Sequence, residues 1–197
     1  MTMRGADGVA GLLLAAGSGS RLGRPKALVE YGGERLVDRG VRLLGEGGCD
    51  PVVVVLGAVD VAVPRAVVVH NPKWASGMGS SLRAGLAALP GHASGVVIAL
   101  VDQPLIGPEA VRRLIAARAP VAVATYGGSP RNPVFLAREH WAGAAELAEG
   151  DAGARVFLRA HPELVTPVPC DDVADPADVD TPEDLRRLTG PGPSEPI

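Results

Sequence analysis

Short apolar runs recur along the chain at Val9–Ala15, Val52–Leu56 (behind Pro51), Ala66–Val69, Gly95–Val101 and Val121–Thr125. Runs of this length, rich in β-branched residues and apolar on both faces, read as buried strands of a parallel sheet. Helical periodicity fills the gaps. Glu34–Glu46 carries Leu36, Val37, Val41 and Leu44 on one face, and Met78–Leu89 carries Met78, Leu82, Gly85, Leu86 and Leu89. Pro108–Arg118 opens on a proline, which a first helical turn tolerates. The alternation predicts an α/β fold: a single doubly wound, mostly parallel, Rossmann-like sheet with helices on both faces. After Thr125 the pattern changes. Tyr126–Pro130 is a turn cluster, Pro133–Leu136 a strand, and Arg138–Ala148 and Ala152–Ala160 two helices. Leu164–Pro169 contains two prolines and is expected at a sheet edge. Thr181-Pro182-Glu183-Asp184 starts a last helix, with threonine as N-cap, proline at the first position and acids in the first turn. No repeat or linker divides the chain. Residues 1–190 are expected to form one domain, and residues 191–197 a disordered tail.

Composition narrows the class. The chain has 197 residues, 47% of them hydrophobic but only 3% aromatic, so one sizeable core must be built from Val, Leu and Ala. Net charge is −3, and no basic tract is long enough to neutralise duplex DNA, which excludes a nucleic-acid partner. No apolar run approaches the ~20 residues of a membrane span. A secretion signal also fits badly. Asp7 sits where positive charge belongs, Gly8 and Gly11 interrupt the apolar stretch, and Arg21, Arg24 and Lys26 follow it. A cytoplasmic location is expected. Cys49 and Cys170 have no zinc-ligand spacing and are expected as two buried free thiols, with a disulfide between them as the alternative. His70, His92, His140 and His161 form no ligand pair.

The candidate chemistry starts in LLLAAGSGSRLGRPKAL, Leu12 to Leu28. Gly17, Gly19 and Gly23 give GxGxxxG, one residue too long for a dinucleotide fingerprint. Lys26 lies between Pro25 and Ala27, which breaks the P-loop pattern. The loop still leaves the carboxyl end of a strand, where open α/β sheets bind ligands. Gly17 and Gly19 would allow positive φ, successive amides could form an anion-holding nest, and Arg21 and Lys26 would add charge. That set fits a triphosphate. A flexible glycine turn with solvated cations is the competing reading.

This stretch resembles the signature loop of the MobA-like nucleotidyltransferases, the group that contains the molybdopterin cytidylyl- and guanylyltransferases. Their pattern, roughly LAAGxSxRMGxxK, matches at Leu14, Ala15, Ala16, Gly17, Arg21, Gly23 and Lys26; Leu22 replaces the family methionine and Gly19 its usual serine. The resemblance implies that Leu14 to Gly19, with Ser18, hold nucleotide alongside Arg21 and Lys26. Guanylyltransferases carry a second glycine where this chain has Ala16, so the resemblance leans toward CTP. Asn71 to Leu86, NPKWASGMGSSLRAGL, is similar to a cytidylyltransferase segment that holds the base, which implies roles for Gly77, Ser80 and Ser81. VDQPLI (Val101–Ile106) resembles the family's metal-binding turn, and GDAGARVFLRAH and DVDTPEDL resemble segments near its carboxyl end. Arg131-Asn132-Pro133 stands where molybdopterin cytidylyltransferases read Gly-His-Pro, and this departure bears on the acceptor.

Asp102 directly follows an apolar run, at the same sheet edge as the loop; it reads either as functional or as a helix cap. Asp178 and Asp180 are two apart, so on extended chain they face one side. Nucleotidyl transfer needs a hard cation, and Mg²⁺ takes one or two carboxylates plus phosphate oxygens and water. Asp102 and Asp180 are the expected Mg²⁺ pair, with Asp178 in reserve; the resemblance to a VDTPED-like segment supports Asp180. Arg21, Lys26 and Asp102 are the expected catalytic residues. The expectation is a Mg²⁺-dependent transferase moving CMP from CTP to a phosphate monoester, molybdopterin first, with a molybdoenzyme as a further partner. Other acceptors (sugar phosphate, erythritol phosphate, phospho-carboxylate), GTP as donor, and a non-catalytic cofactor chaperone are the alternatives.

Overall fold

The computed structural model describes residues 8–189. Its strands are β1 (Val9–Leu14), β2 (Glu30–Tyr31), β3 (Glu34–Arg35), β4 (Val52–Leu56), β5 (Val67–His70), β6 (Gly95–Leu100), β7 (Val121–Tyr126), β8 (Ser129–Ala137) and β9 (Val165–Pro169). Its helices are α1 (Leu36–Glu46), α2 (Met78–Ala88), α3 (Pro108–Ala116), α4 (Trp141–Glu146), α5 (Arg155–Ala160) and α6 (Pro182–Thr189). Seven strands form one sheet in the order β5-β4-β1-β6-β8-β7-β9. β8 runs antiparallel to both of its neighbours, and the other pairings are parallel.

The expected strands are buried on both faces because residues alternate between two apolar layers. Leu13, Val54 and Val97 pack toward Val37 and Leu44 of α1 and Leu114 of α3. Leu12, Val53 and Ile98 pack toward Leu82 and Leu86 of α2 and Phe157 of α5. From β1 the chain builds β4 and β5 on one side, then crosses to β6 on the other. Leu14 pairs with both Val55 and Leu100, so three carboxyl ends come level at this switch point.

Several expectations change. β5 is an edge strand rather than a buried one: Val67 and Val68 are 51% and 39% exposed. Glu34–Arg35 pairs with Glu30–Tyr31 across Gly32-Gly33 (φ 61° and 79°), so α1 starts at Leu36. A glycine pair is a hairpin signal strong enough to override the start of a helical pattern. β8 begins at Ser129 rather than Pro133, and its register with β7 shifts between Val123 and Ala124. The 138–148 stretch divides into a 3₁₀ turn, Arg138–His140, and α4, while α5 starts only at Arg155. Cys49 and Cys170 are buried and free, and burial pushes the Cys49 thiol up to about 12. Among the described residues no helix is long and apolar enough to cross a membrane. The tail at 191–197, and Arg4 and Asp7 of the signal argument, lie outside the described residues.

Candidate active site

β1 stops at Leu14 because the chain has crossed the sheet and meets glycines. Ala15 still donates to the Val55 carbonyl (2.9 Å) and its methyl stays in the core, behind the site. Beyond Ala16 the backbone turns away. Gly19 takes φ 59°, and a Cβ there would run into the Arg24 carbonyl oxygen. Gly17, expected to share that conformation, does not adopt it; Gly23 does, at φ 74°. The loop is closed by Leu22 N–H to the Gly19 carbonyl (2.8 Å) and Lys26 N–H to the Gly17 carbonyl (3.4 Å). Among the described residues the amides of Gly17 to Arg21 donate to no protein acceptor. A run of unpaired amides in one concave turn is an anion nest.

Beside the nest, Lys26 Nζ lies 2.5 Å from Asp102 Oδ2 and 2.5 Å from Asp180 Oδ1. Asp102 lies just beyond the end of β6, separated from it by Val101. Asp180 arrives from the far end of the chain on an extended strap, which the Val179 amide ties to the Asp102 carbonyl at 2.8 Å. Burial acts to lower the Lys26 pKa, but the charges and hydrogen bonds of Asp102 and Asp180 outweigh it and hold the ammonium above its ordinary 10.5. Arg21 is 71% exposed, with Nη2 3.8 Å from Asp180 Oδ2. Two carboxylates thus converge on one point. Asp102 Oδ1 is also buried without a partner, which protein interiors rarely tolerate. An orphaned carboxylate oxygen and a converging pair are the donor set a hard divalent cation takes, so these residues fit Mg²⁺ or Mn²⁺. Among the described residues no third His, Cys, Asp or Glu joins them. Asp178 does not face the pocket: it accepts from Gln103 Nε2 at 2.9 Å. Burial, reinforced by Asp102, pushes its carboxyl up.

Leu14, Ala16 to Arg21, Lys26, Asp102 and Asp180 line one pocket of about 450 Å³. Gly77 and Ser81 line it too, but Ser80 does not. The Ser80 hydroxyl shares its one hydrogen between the Lys73 and Gly77 carbonyls (2.9 Å each) and accepts from Asn71 Nδ2 (2.8 Å), so it holds the turn that starts α2. The pocket wall also includes residues that were not expected there, Trp74, Met78 and Asp151 among them. Trp74 packs on Gly57, which is kept free of a side chain by that contact and neighbours Ala16. Asp151 is brought in by a close approach. Gly77 has φ 109°, a Cβ there would overlap the Gly150 backbone and lie 2.9 Å from Asp151 Oδ1, and the Gly79 amide donates to the Gly150 carbonyl at 2.8 Å. Trp74 and Met78 lie in the Asn71–Leu86 segment and Asp151 in GDAGARVFLRAH, the stretches whose resemblance was the available signal. Arg131 and Asn132 lie on β8 outside the pocket wall.

A mostly parallel sheet with an anion nest at its switch point and a carboxylate pair across from it defines a nucleotide-binding α/β transferase. The chain belongs to the MobA-like NTP transferase family, whose domain matches residues 11–165. The nicotine blue oxidoreductase of Paenarthrobacter nicotinovorans is 43% identical over 198 residues, spanning 91% of this chain and 96% of that protein. The molybdenum cofactor guanylyltransferase of Rhodobacter capsulatus is 32% identical over 197 residues, spanning 91% and 94%. Among solved structures, Rv0371c of Mycobacterium tuberculosis superposes with a TM-score of 0.81 at 29% identity, covering 94% of this chain and 99% of that one. A manganese complex of the same protein gives 0.74 at 28% identity, with the same coverage.

Proposed function

We propose that the protein transfers a nucleotidyl group from a nucleoside triphosphate, CTP before GTP, to a phosphate monoester, with molybdopterin the first acceptor to test. The observation that carries this reading is the convergence of Lys26, Asp102 and Asp180 beside a loop of unpaired amides. The nest and Arg21 hold the triphosphate, each charge-assisted bond contributing about 1.5–3 kcal/mol. An acceptor phosphate oxygen attacks the α-phosphorus; the bond to the β-phosphate oxygen breaks and pyrophosphate leaves. Lys26 follows the charge that develops on the leaving group, which Arg21 also faces. Asp102 and Asp180 would hold a divalent cation, whose chemistry is to neutralise charge on the phosphoryl oxygens. The manganese complex of Rv0371c supports that role, as does the unpartnered Asp102 oxygen. Trp74 and Met78 offer an apolar seat for a planar ring, base or acceptor. Ala16 supports cytosine through the family pattern, whereas the Rhodobacter relative, named a guanylyltransferase, keeps GTP in contention.

A second reading rests on the relative named nicotine blue oxidoreductase. One fold hosts several chemistries, and a Trp74-walled pocket would suit a planar redox substrate as well as a base. One experiment separates the two. Pyrophosphate release is measured with CTP or GTP, Mg²⁺ and molybdopterin, and in parallel reduction of nicotine blue by a supplied electron donor is measured. Acceptor-dependent pyrophosphate is expected; no release with either nucleotide, together with dye reduction, would replace the first reading by the second.

A further inference from the structure

Gln103 follows Asp102 directly, is 6% exposed, and lies outside the pocket wall. Its amide nitrogen has two hydrogens, and both are used on one segment. One goes to the Pro176 carbonyl (3.2 Å), the other to Asp178 Oδ1 (2.9 Å). That segment, residues 175–181, is the strap that carries Asp180 to the site. It has neither a helix nor a sheet ladder of its own. Its backbone is tied by Asp175 N–H to the Leu105 carbonyl (3.3 Å), by Val179 N–H to the Asp102 carbonyl (2.8 Å) and, at its far end, by the Asp180 and Thr181 amides to Asp184 Oδ2 (3.2 and 2.9 Å). The orientation of the Gln103 amide is fixed by chemistry: turned over, its oxygen would face a carbonyl and a carboxylate, which only accept. In this orientation Gln103 Oε1 is left buried without a partner. The side chain gives up its own acceptor to satisfy two acceptors on the strap.

We propose that Gln103 is a positioning residue for the metal site: by clamping Pro176 and Asp178 it holds the strap so that Asp180 stays opposite Asp102. The inference rests on the proposed role of that carboxylate pair. Neighbouring residue types are poor substitutes. Leucine fills the volume but donates nothing, asparagine is one methylene short, and glutamate would meet Asp178 charge to charge. Groups that orient metal ligands typically change affinity about 10–100-fold when removed.

The test is Mn²⁺ binding to the full-length protein, followed by the electron paramagnetic resonance signal of free Mn²⁺. The wild type is compared with Q103L and with the exchanged pair Q103E/D178N. Q103L leaves the local charge unchanged and is expected to bind Mn²⁺ about 10–100-fold more weakly. At saturating Mn²⁺ its kcat should return toward the wild-type value, which a general loss of folding would not allow. The exchanged pair also conserves net charge and remakes the Asp178 contact with donor and acceptor reversed, while the Pro176 carbonyl loses its donor, so it should bind more tightly than Q103L and less tightly than the wild type. This comparison stands even if Q103L proves poorly folded. Wild-type affinity in Q103L, or an exchanged pair no tighter than Q103L, would overturn the inference and leave the metal reading intact. A wild-type protein that binds no Mn²⁺ would overturn both.

Discussion

Gly19 shows how a single residue decides whether the nest exists. Its φ of 59° strains any other residue, and a Cβ would also press into the Arg24 carbonyl. Gly23 has φ 74° but open space around it. Left-handed backbone costs about 1–2 kcal/mol for a residue with a Cβ. Gly23→Ala should therefore lose about that much stability and keep nucleotide affinity. Gly19→Ala should also distort the loop and weaken nucleotide binding by at least about tenfold, a ~1.4 kcal/mol effect. Calorimetric titration with CTP and thermal unfolding of both variants check the pair. At this scale the sequence was partly readable. Lys26 and Asp102 stand out by position, one closing a glycine loop and the other ending an apolar run. Gln103 does not, because its role depends on Asp178, 75 positions away, and Trp74 and Asp151 owe theirs to a close approach at Gly77.

The elements that mattered most to the site are the strap and α6. Thr181 caps α6 as its spacing predicts, and the cap is reciprocal. The Asp184 amide donates to Thr181 Oγ1 (3.2 Å), and Asp184 Oδ2 accepts from the Thr181 amide (2.9 Å), its hydroxyl (2.8 Å) and the Asp180 amide (3.2 Å). Capping α6 therefore also anchors the backbone of Asp180. The Thr181 hydroxyl bond, chief among these contacts, holds the Asp184 carboxyl below its ordinary 3.8 against the effect of burial. A depressed carboxyl contributes stability above its unfolded pKa and loses it as pH falls through its folded pKa. Asp184→Asn should lower the thermal midpoint at neutral pH, and the gap from wild type should close as pH drops below 3.8. Thermal scans across that range test this. The strands were legible because β-branched runs apolar on both faces have few other uses. The β2–β3 ribbon was not, since two glycines outweighed a helical pattern that begins on polar residues. The exposure of β5 could not be read either, because an apolar run does not record whether a neighbouring strand follows.

For the whole molecule, the order in which strands are laid down creates the site. β1 and β6 diverge in their connections, and their carboxyl ends leave a crevice that neither fills. The glycine loop enters from one and Asp102 from the other, while the strap returns from the far end of the chain to close the set. The alternation of runs and helices foretold the sheet, while the loop and the resemblance singled out Lys26 for phosphate and Asp102 and Asp180 for a metal without pairing them. No local pattern could show that Lys26 and the two carboxylates meet at a single point, because that follows from the crossing of three distant segments. Nucleotidyl transfer is expected to take place at this meeting point. The most direct test is pyrophosphate release from CTP with Mg²⁺ and acceptor, by the wild type and by Asp102→Ala, with folding of the variant checked by circular dichroism. Mg²⁺-dependent release is expected, falling on the order of 10²–10³-fold in the variant. Undiminished release by a folded Asp102→Ala protein would contradict it.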